Sequence, residues 1–255
     1  MSDATGDVVQ SFARGLAVIR AFDAEHPRLT LSEAAARADI TRAAAGRFLR
    51  TLEHLGYVRS TGREFALTPR VLELGFSYLS ALSLPEVVQP HLERLSRTVD
   101  ESVSAAVLDG GDIVYVARVP TRRIMSVGIM IGTRFPAYAT SMGRVLLASL
   151  PRATRDAVID GYAFERFTER TVSDAGSLAR QLDEVASRGY ALADGELESG
   201  VCSVAAPVRG RDGSVVAAVN VSASTARVTT NRLREAYLPE LLAAAAAIEA
   251  DLRLV

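Results

Sequence analysis

The sequence contains no tryptophan and no lysine, and all of its strongly basic residues are arginine. It has a single cysteine, Cys202, which excludes an internal disulfide and fits a reducing compartment. Histidine is nearly as scarce, and His26, His54 and His91 lie far apart. No Ser–His or Cys–His pair for nucleophilic catalysis is evident, and no His/Cys cluster has metal-ligand spacing. Gly110-Gly111 lacks the rest of a phosphate-binding loop. No cofactor, no metal and no enzymatic activity are therefore expected. Long apolar runs are missing too. None reaches transmembrane length, and the opening MSDATGDVVQ is polar and acidic, unlike a signal peptide. The expectation is a cytoplasmic protein with no membrane partner. Net charge is only −1, so no overall basicity points to nucleic acid.

A core is affordable, because 49% of the 255 residues are hydrophobic, and the length suits one large domain or two small ones. The most informative stretch is Thr41–Gly56. At helical spacing Ala44, Ala45, Phe48, Leu52 and Leu55 share an apolar face. Arg42, Ala43, Gly46, Arg47, Arg50 and His54 share the other, which joins cations to very small side chains. Small residues let a backbone approach a duplex, and arginine reaches phosphate or the acceptor edge of guanine. Upstream, Thr30-Leu31-Ser32-Glu33 is a capping box opening a helix over Leu31–Ala38, Asp39-Ile40 is a turn, and Thr41 caps the next helix. A helical hairpin inside a core would share these features. Downstream, however, Tyr57-Val58-Arg59 and Glu64-Phe65-Ala66-Leu67 flank the turn Ser60-Thr61-Gly62-Arg63, as strands of a wing would. The reading is a winged helix-turn-helix for double-stranded operator DNA, with Thr41, Arg42, Ala43, Gly46, Arg47, Arg50, Arg59 and Arg63 as candidate contacts.

Ser11–Ala24 is expected to brace this unit as an amphipathic helix with Phe12, Leu16, Ile19 and Phe22 inward. Thr68-Pro69 starts another helix, apolar almost all round over Val71–Leu82, which needs cover on several sides. The same helix of a second subunit would give it. The expected division is a DNA-binding domain over 1–67, a linker helix over 68–84 and a second domain over 85–255. In that second domain Pro85–Glu101 is expected as a helix. Strands are expected over Ser102–Leu108, Ile113–Val119, Ile124–Ile131, Tyr190–Asp194, Ser203–Val208 and Val215–Ser222. Gly132–Tyr138 reads as a loop. Helices are expected over Ala139–Leu150, Pro151–Asp160, Asp174–Arg188 and Asn231–Leu252. This mixture without steady βαβ alternation is α+β, with a mainly antiparallel sheet.

Taken together, the helix-turn-helix, the wing, the connecting helix and the segments ATSMGRVLLASLP and ELESGVCSVAAPV resemble the IclR family of bacterial transcriptional regulators over nearly the whole chain. RGLAVIRAF, GRFLRTLEHLGYV and VARVPTRRIMSVGIMIGTRFPAYATSMGRVLLA are most similar to its group that regulates aromatic-acid catabolism, the protocatechuate and 4-hydroxybenzoate regulators. The resemblance implies a GAF-like effector domain and homodimers or homotetramers. It also implies an effector site near the Ala139–Arg144 turn, with Asp194, Ser203, Asn220 and Ser222 facing the ligand. The chemistry agrees. With Thr140 or Ser141 as N-cap, the amides of Met142, Gly143 and Arg144 would be open to a carboxylate. Arg134 or Arg144 would add charge. Tyr138, Met142, Glu198 and Cys202 complete the candidate effector-binding set. The resulting expectation is a regulator that senses a small aromatic carboxylic acid. The alternatives are a regulator answering to another small carboxylate, a small-acid hydrolase, and a plain DNA-binding protein.

Overall fold

The structure, a computed structural model, describes residues 9–74, 84–121 and 129–254. The chain divides into two compact units, Met1–Ala81 and Leu82–Val255.

In the first unit α1 (Gln10–Arg20), α2 (Leu31–Arg37) and α3 (Arg42–His54) surround Val18, Leu29, Ala34, Leu49, Leu52 and Val58. Local caps set the helix starts. Thr30 Oγ1 accepts from the Glu33 amide while Glu33 accepts from the Thr30 amide, which completes the capping box. Thr41 Oγ1 accepts from the Ala44 amide and opens α3. The wing is β2 (Val58–Thr61) and β3 (Glu64–Leu67), paired antiparallel, with β1 (Leu29–Thr30) added along β3. The turn is tighter than the expected Ser60–Arg63, because Thr61 already pairs with Glu64 and Gly62 takes the positive φ of 65° that a two-residue turn needs.

Two inward assignments are corrected. Phe12 is 69% exposed and Leu16 43%, because α1 turns the neighbouring stripe, Val18 with Ala21, to the core. Gly15 lies against Phe48, so that side of α1 sits closest to α3. In α3 the expected Leu55 is also exposed, and Leu49 takes the central core place. Beyond the wing, Thr68 Oγ1 caps a short 3-10 turn, Pro69–Val71, which continues helically over 72–74. The rest of the expected 68–84 helix, residues 75–83, lies outside the described residues.

The second unit is built on a six-stranded, fully antiparallel sheet in the order β6-β5-β4-β9-β8-β7. Its strands are β4 (Ser102–Asp109), β5 (Asp112–Val119), β6 (Arg134–Pro136), β7 (Ala191–Asp194), β8 (Val201–Arg209) and β9 (Val215–Ser224). α4 (Leu84–Val99) and α8 (Leu238–Leu252) pack against each other and on the sheet. α5 (Ser141–Ala148), α6 (Arg152–Asp160) and α7 (Ala175–Arg188) belong to a separate layer whose core joins Met142, Leu147 and Leu182 to Ala106, Ile113 and Ala205. The third strand is displaced from its expected place. Residues 124–128 of Ile124–Ile131 lie outside the described residues, and 129–131 are not strand. The strand that pairs with β5 is Arg134–Pro136, inside the segment expected as a loop. A 3-10 turn, Ala137–Ala139, then leads into α5.

Candidate DNA-reading surface and ligand cavity

On α3 the side chains of Thr41, Arg42, Ala43, Arg47 and Arg50 are exposed, as are Arg59 and Arg63 on the wing. Among the described residues none of these arginines has a carboxylate within salt-bridge distance. The nearby Glu53 instead accepts from the Ser60 amide at 3.2 Å, which ties α3 to the wing. Gly46 is the exception in the expected set. It is buried, and a Cβ there would make ordinary contact with Leu31 Cδ1 at 3.6 Å, so this position faces α2.

In the second unit a cavity of about 290 Å³ opens between α5 and the sheet. The sheet contributes Tyr115, Phe135, Ala193, Val201, Ser203, Asn220 and Ser222 to its lining. The helix start and the loops contribute Ile129, Ala139, Thr140, Ser141, Met142, Phe167, Leu197 and Glu198. The size lies at the small end of the range for ligand pockets. Strand pairing explains the polar floor. Ser203 is opposite Ser222, and Ser222 is opposite Ser102, so these hydroxyls share one face of three adjacent strands. Asn220 is two residues from Ser222 on that same face. It is 5% exposed, and its Oδ1 has no hydrogen-bond partner among the described residues.

The helix start is held tightly. Thr140 Oγ1 accepts from the Gly143 amide at 3.0 Å, and the Arg144 amide donates to Thr140 O at 3.1 Å. Of the amides expected to be open, only that of Met142 is left, together with that of Ser141. Ser141 Oγ lies 2.7 Å from Ser203 Oγ and so ties the helix start to the floor. Gly143 has to be glycine, because a Cβ would lie 2.1 Å from Ala137 O.

Five of the expected effector residues lie elsewhere. Arg134 is exposed and bound to Asp109 at 2.6 Å and Asp112 at 3.3 Å on the β4–β5 hairpin. Arg144 is buried, paired through both terminal nitrogens with Glu196, and donates from Nε to Tyr138 O at 3.0 Å. It braces the loops around the cavity. Tyr138 packs against Tyr162 and Phe164, and its hydroxyl donates to Glu165 O. Asp194 pairs with Arg170 in a separate polar groove. Cys202 neighbours Ser203 and so faces the opposite side, where Sγ approaches Ala223 O and Val228 O. Burial pushes its thiol up to about 11, which keeps it protonated and unreactive. The chain's expected contacts Thr140, Ser141, Met142, Glu198, Ser203, Asn220 and Ser222 do meet around one cavity. Tyr115, Phe167, Leu197 and Ala193 were not foreseen.

A winged reading head with exposed arginines on its helix and wing, carried on the same chain as a domain with a small cavity, defines a class: DNA-binding transcriptional regulators with a separate sensing domain. The IclR helix-turn-helix domain model matches residues 11–62, and the model of the bacterial transcriptional regulator IclR C-terminal domain matches 76–250. The Pca regulon regulatory protein of Pseudomonas putida is 43% identical over 239 residues, covering 93% of this chain and 82% of its own. A solved transcriptional regulator from Rhodococcus sp. RHA1 is 56% identical with a TM-score of 0.88, covering 97% of this chain and 99% of that one. The crystal structure of an IclR homologue from Microbacterium hydrocarbonoxydans complexed with 4-hydroxybenzoate is 28% identical with a TM-score of 0.86, covering 96% and 100%. The chain belongs to the IclR family of transcriptional regulators, and it is not an enzyme.

Proposed function

We propose that this regulator binds a small aromatic carboxylic acid of the 4-hydroxybenzoate or protocatechuate type and in response controls genes for the catabolism of such compounds. The observation that carries the reading is the mixed lining of the cavity: Tyr115, Phe135 and Val201 share the sheet face with Ser203, Asn220 and Ser222, and Met142, Phe167 and Leu197 add apolar surface. A flat ring with polar substituents suits that mixture. The bound 4-hydroxybenzoate of the Microbacterium homologue and the Pca regulon relative support the same class. Thr140, Ser141, Met142 and Glu198 are the further contacts. At the DNA, Arg42, Arg47 and Arg50 enter the major groove with Thr41 and Ala43, and Arg59 and Arg63 hold phosphates.

The working form is a homodimer or homotetramer in the cytoplasm. Its support is the apolar strip left open on α1, Val9, Phe12 and Leu16, with Leu72 and Leu74 exposed after the wing. A second copy is the fitting cover for such a strip. Light scattering at micromolar concentration should give at least a dimer; a stable monomer contradicts this part.

The effector is tested by thermal shift of the full chain against 4-hydroxybenzoate, protocatechuate, their methyl esters and a linear aliphatic dicarboxylate of similar length. The aromatic acids should raise the melting temperature and the others should not. A shift from the dicarboxylate alone removes the aromatic reading.

A further inference from the structure

The cavity face carries a cation that no feature of the linear sequence marks. β4 and β5 slip register at one point: Ala105 pairs with Ala117, but Ala106 pairs with Tyr115, so Val116 is the extra residue of a β-bulge. In a regular strand, residues three apart point to opposite faces. Across this bulge Tyr115 and Arg118 point to the same one. Tyr115 lines the cavity, and Arg118 is set opposite Ser104, which is itself opposite Asn220. Arg118 Nη1 lies 3.4 Å from Ser104 Oγ, so the guanidinium stands behind the lining, one strand from Asn220.

Arg118 is half-buried, and among the described residues it has no carboxylate within salt-bridge distance. The other inward arginine of the site, Arg144, is paired with Glu196. Burial holds the Arg118 guanidinium below its ordinary pKa, as expected for a cation short of a counter-charge. The opposite charge enters at the other end. Glu198 reaches the cavity from the loop before β8, where its carbonyl accepts from the Val201 amide. Val201 pairs with Ser224, four residues along β9 from Asn220.

We propose that Arg118 is the residue that selects an acid in this cavity. It draws the carboxylate to the Asn220–Ser104 row and leaves the far end of the ring to Ser203 and Glu198. This rests on the effector reading above. It reverses the orientation expected from the sequence, in which the helix start takes the carboxylate. Asn220 supports the reversal, because no hydrogen bond holds its carboxamide among the described residues, so its Nδ2 can donate to the acid. A hydroxyl para to the carboxylate then finds an acceptor in Glu198. A second carboxylate there meets like charge, so a linear dicarboxylate is rejected.

The test is calorimetric titration of the full chain with 4-hydroxybenzoate and with its neutral isostere 4-hydroxybenzamide. The wild type should prefer the acid by roughly 10- to 100-fold, the range for a hydrogen bond to a charged group. Arg118→Gln should bring the two affinities within a few-fold of each other by weakening the acid alone. Arg118→Lys should keep a clear preference, because the charge remains while the planar fork is lost. That retention separates a charge effect from general damage to the fold. An Arg118→Gln protein with the wild-type preference overturns the assignment and leaves the effector reading standing. Wild-type protein that binds neither compound overturns that reading and this assignment with it.

Discussion

The two units use the same cation in opposite ways. In the first, Arg42, Arg47, Arg50, Arg59 and Arg63 stand in solvent with no carboxylate within salt-bridge distance among the described residues, while Arg28 and Arg37 are paired with Glu64 and Asp23. In the second, Arg134, Arg144, Arg155, Arg170 and Arg227 each hold a carboxylate. An exposed arginine needs no partner, since water screens it, and it stays free for phosphate. A buried arginine without a counter-charge is costly, and for the buried Arg144 and Arg155 the sensing domain supplies one from its own chain. Arg118 departs from that second pattern, and its place on the cavity face gives the departure a use.

The strongest way to break the comparison is at Arg144. Arg144→Met leaves Glu196 largely buried without its partner and should cost about 3–5 kcal/mol of stability in a denaturant titration. The double variant Arg144→Met with Glu196→Leu should recover most of that loss. If the single variant is as stable as wild type, the pair is not structural. Next is Gly143→Ala. Its Cβ would collide with Ala137 O, so overpacking of about 1–3 kcal/mol is expected, together with weaker effector binding. A variant unchanged in both respects means that the 137–143 segment yields easily.

On the free-arginine side, Arg50→Ala should weaken binding to the specific operator by about 1–3 kcal/mol and relax its sequence preference, as loss of a base contact does. Arg63→Ala should act on all sequences alike and lower the slope of log K against log salt by about 1. Equal behaviour of the two variants would erase the distinction between groove and wing. The smallest effect belongs to Arg134→Ala. Its side chain is 46% exposed, so its pairs with Asp109 and Asp112 should be worth less than about 1 kcal/mol in thermal denaturation.

How far the molecule can be read from its sequence follows the reach of each signal. Caps are local. The Thr30–Glu33 box and Thr41 each form bonds within three residues, and each helix begins where its cap predicts. The wing was equally plain, because alternation and a Gly turn lie together. Helix faces were less so. Phe12 and Leu16 are as apolar as a core stripe, and only the packing of α1 on α3 decides which stripe is buried.

The cavity was half legible. Ser203, Asn220 and Ser222 belong to one sheet face, yet Cys202 was expected beside Ser203, and the pleat forbids neighbours from sharing a face. Asp194 was expected where the same alternation puts Ala193. Arg144 looked free because its partner lies 52 positions away, on another loop. Arg118 depends on a bulge, and a bulge is a property of the pairing between β4 and β5, with no marker in β5 alone.

The central claim is that an aromatic acid in the second unit alters DNA binding by the first. Fluorescence anisotropy on operator DNA selected from a random pool measures this directly, with and without saturating 4-hydroxybenzoate. For the wild type the acid should change the apparent Kd by roughly 5-fold or more, the lower end of ordinary allosteric coupling. Ser203→Leu fills the cavity floor and should bind the DNA as the ligand-free wild type does, without response to the acid. A wild-type Kd indifferent to the acid, or a Ser203→Leu protein that responds as strongly as wild type, would contradict the account.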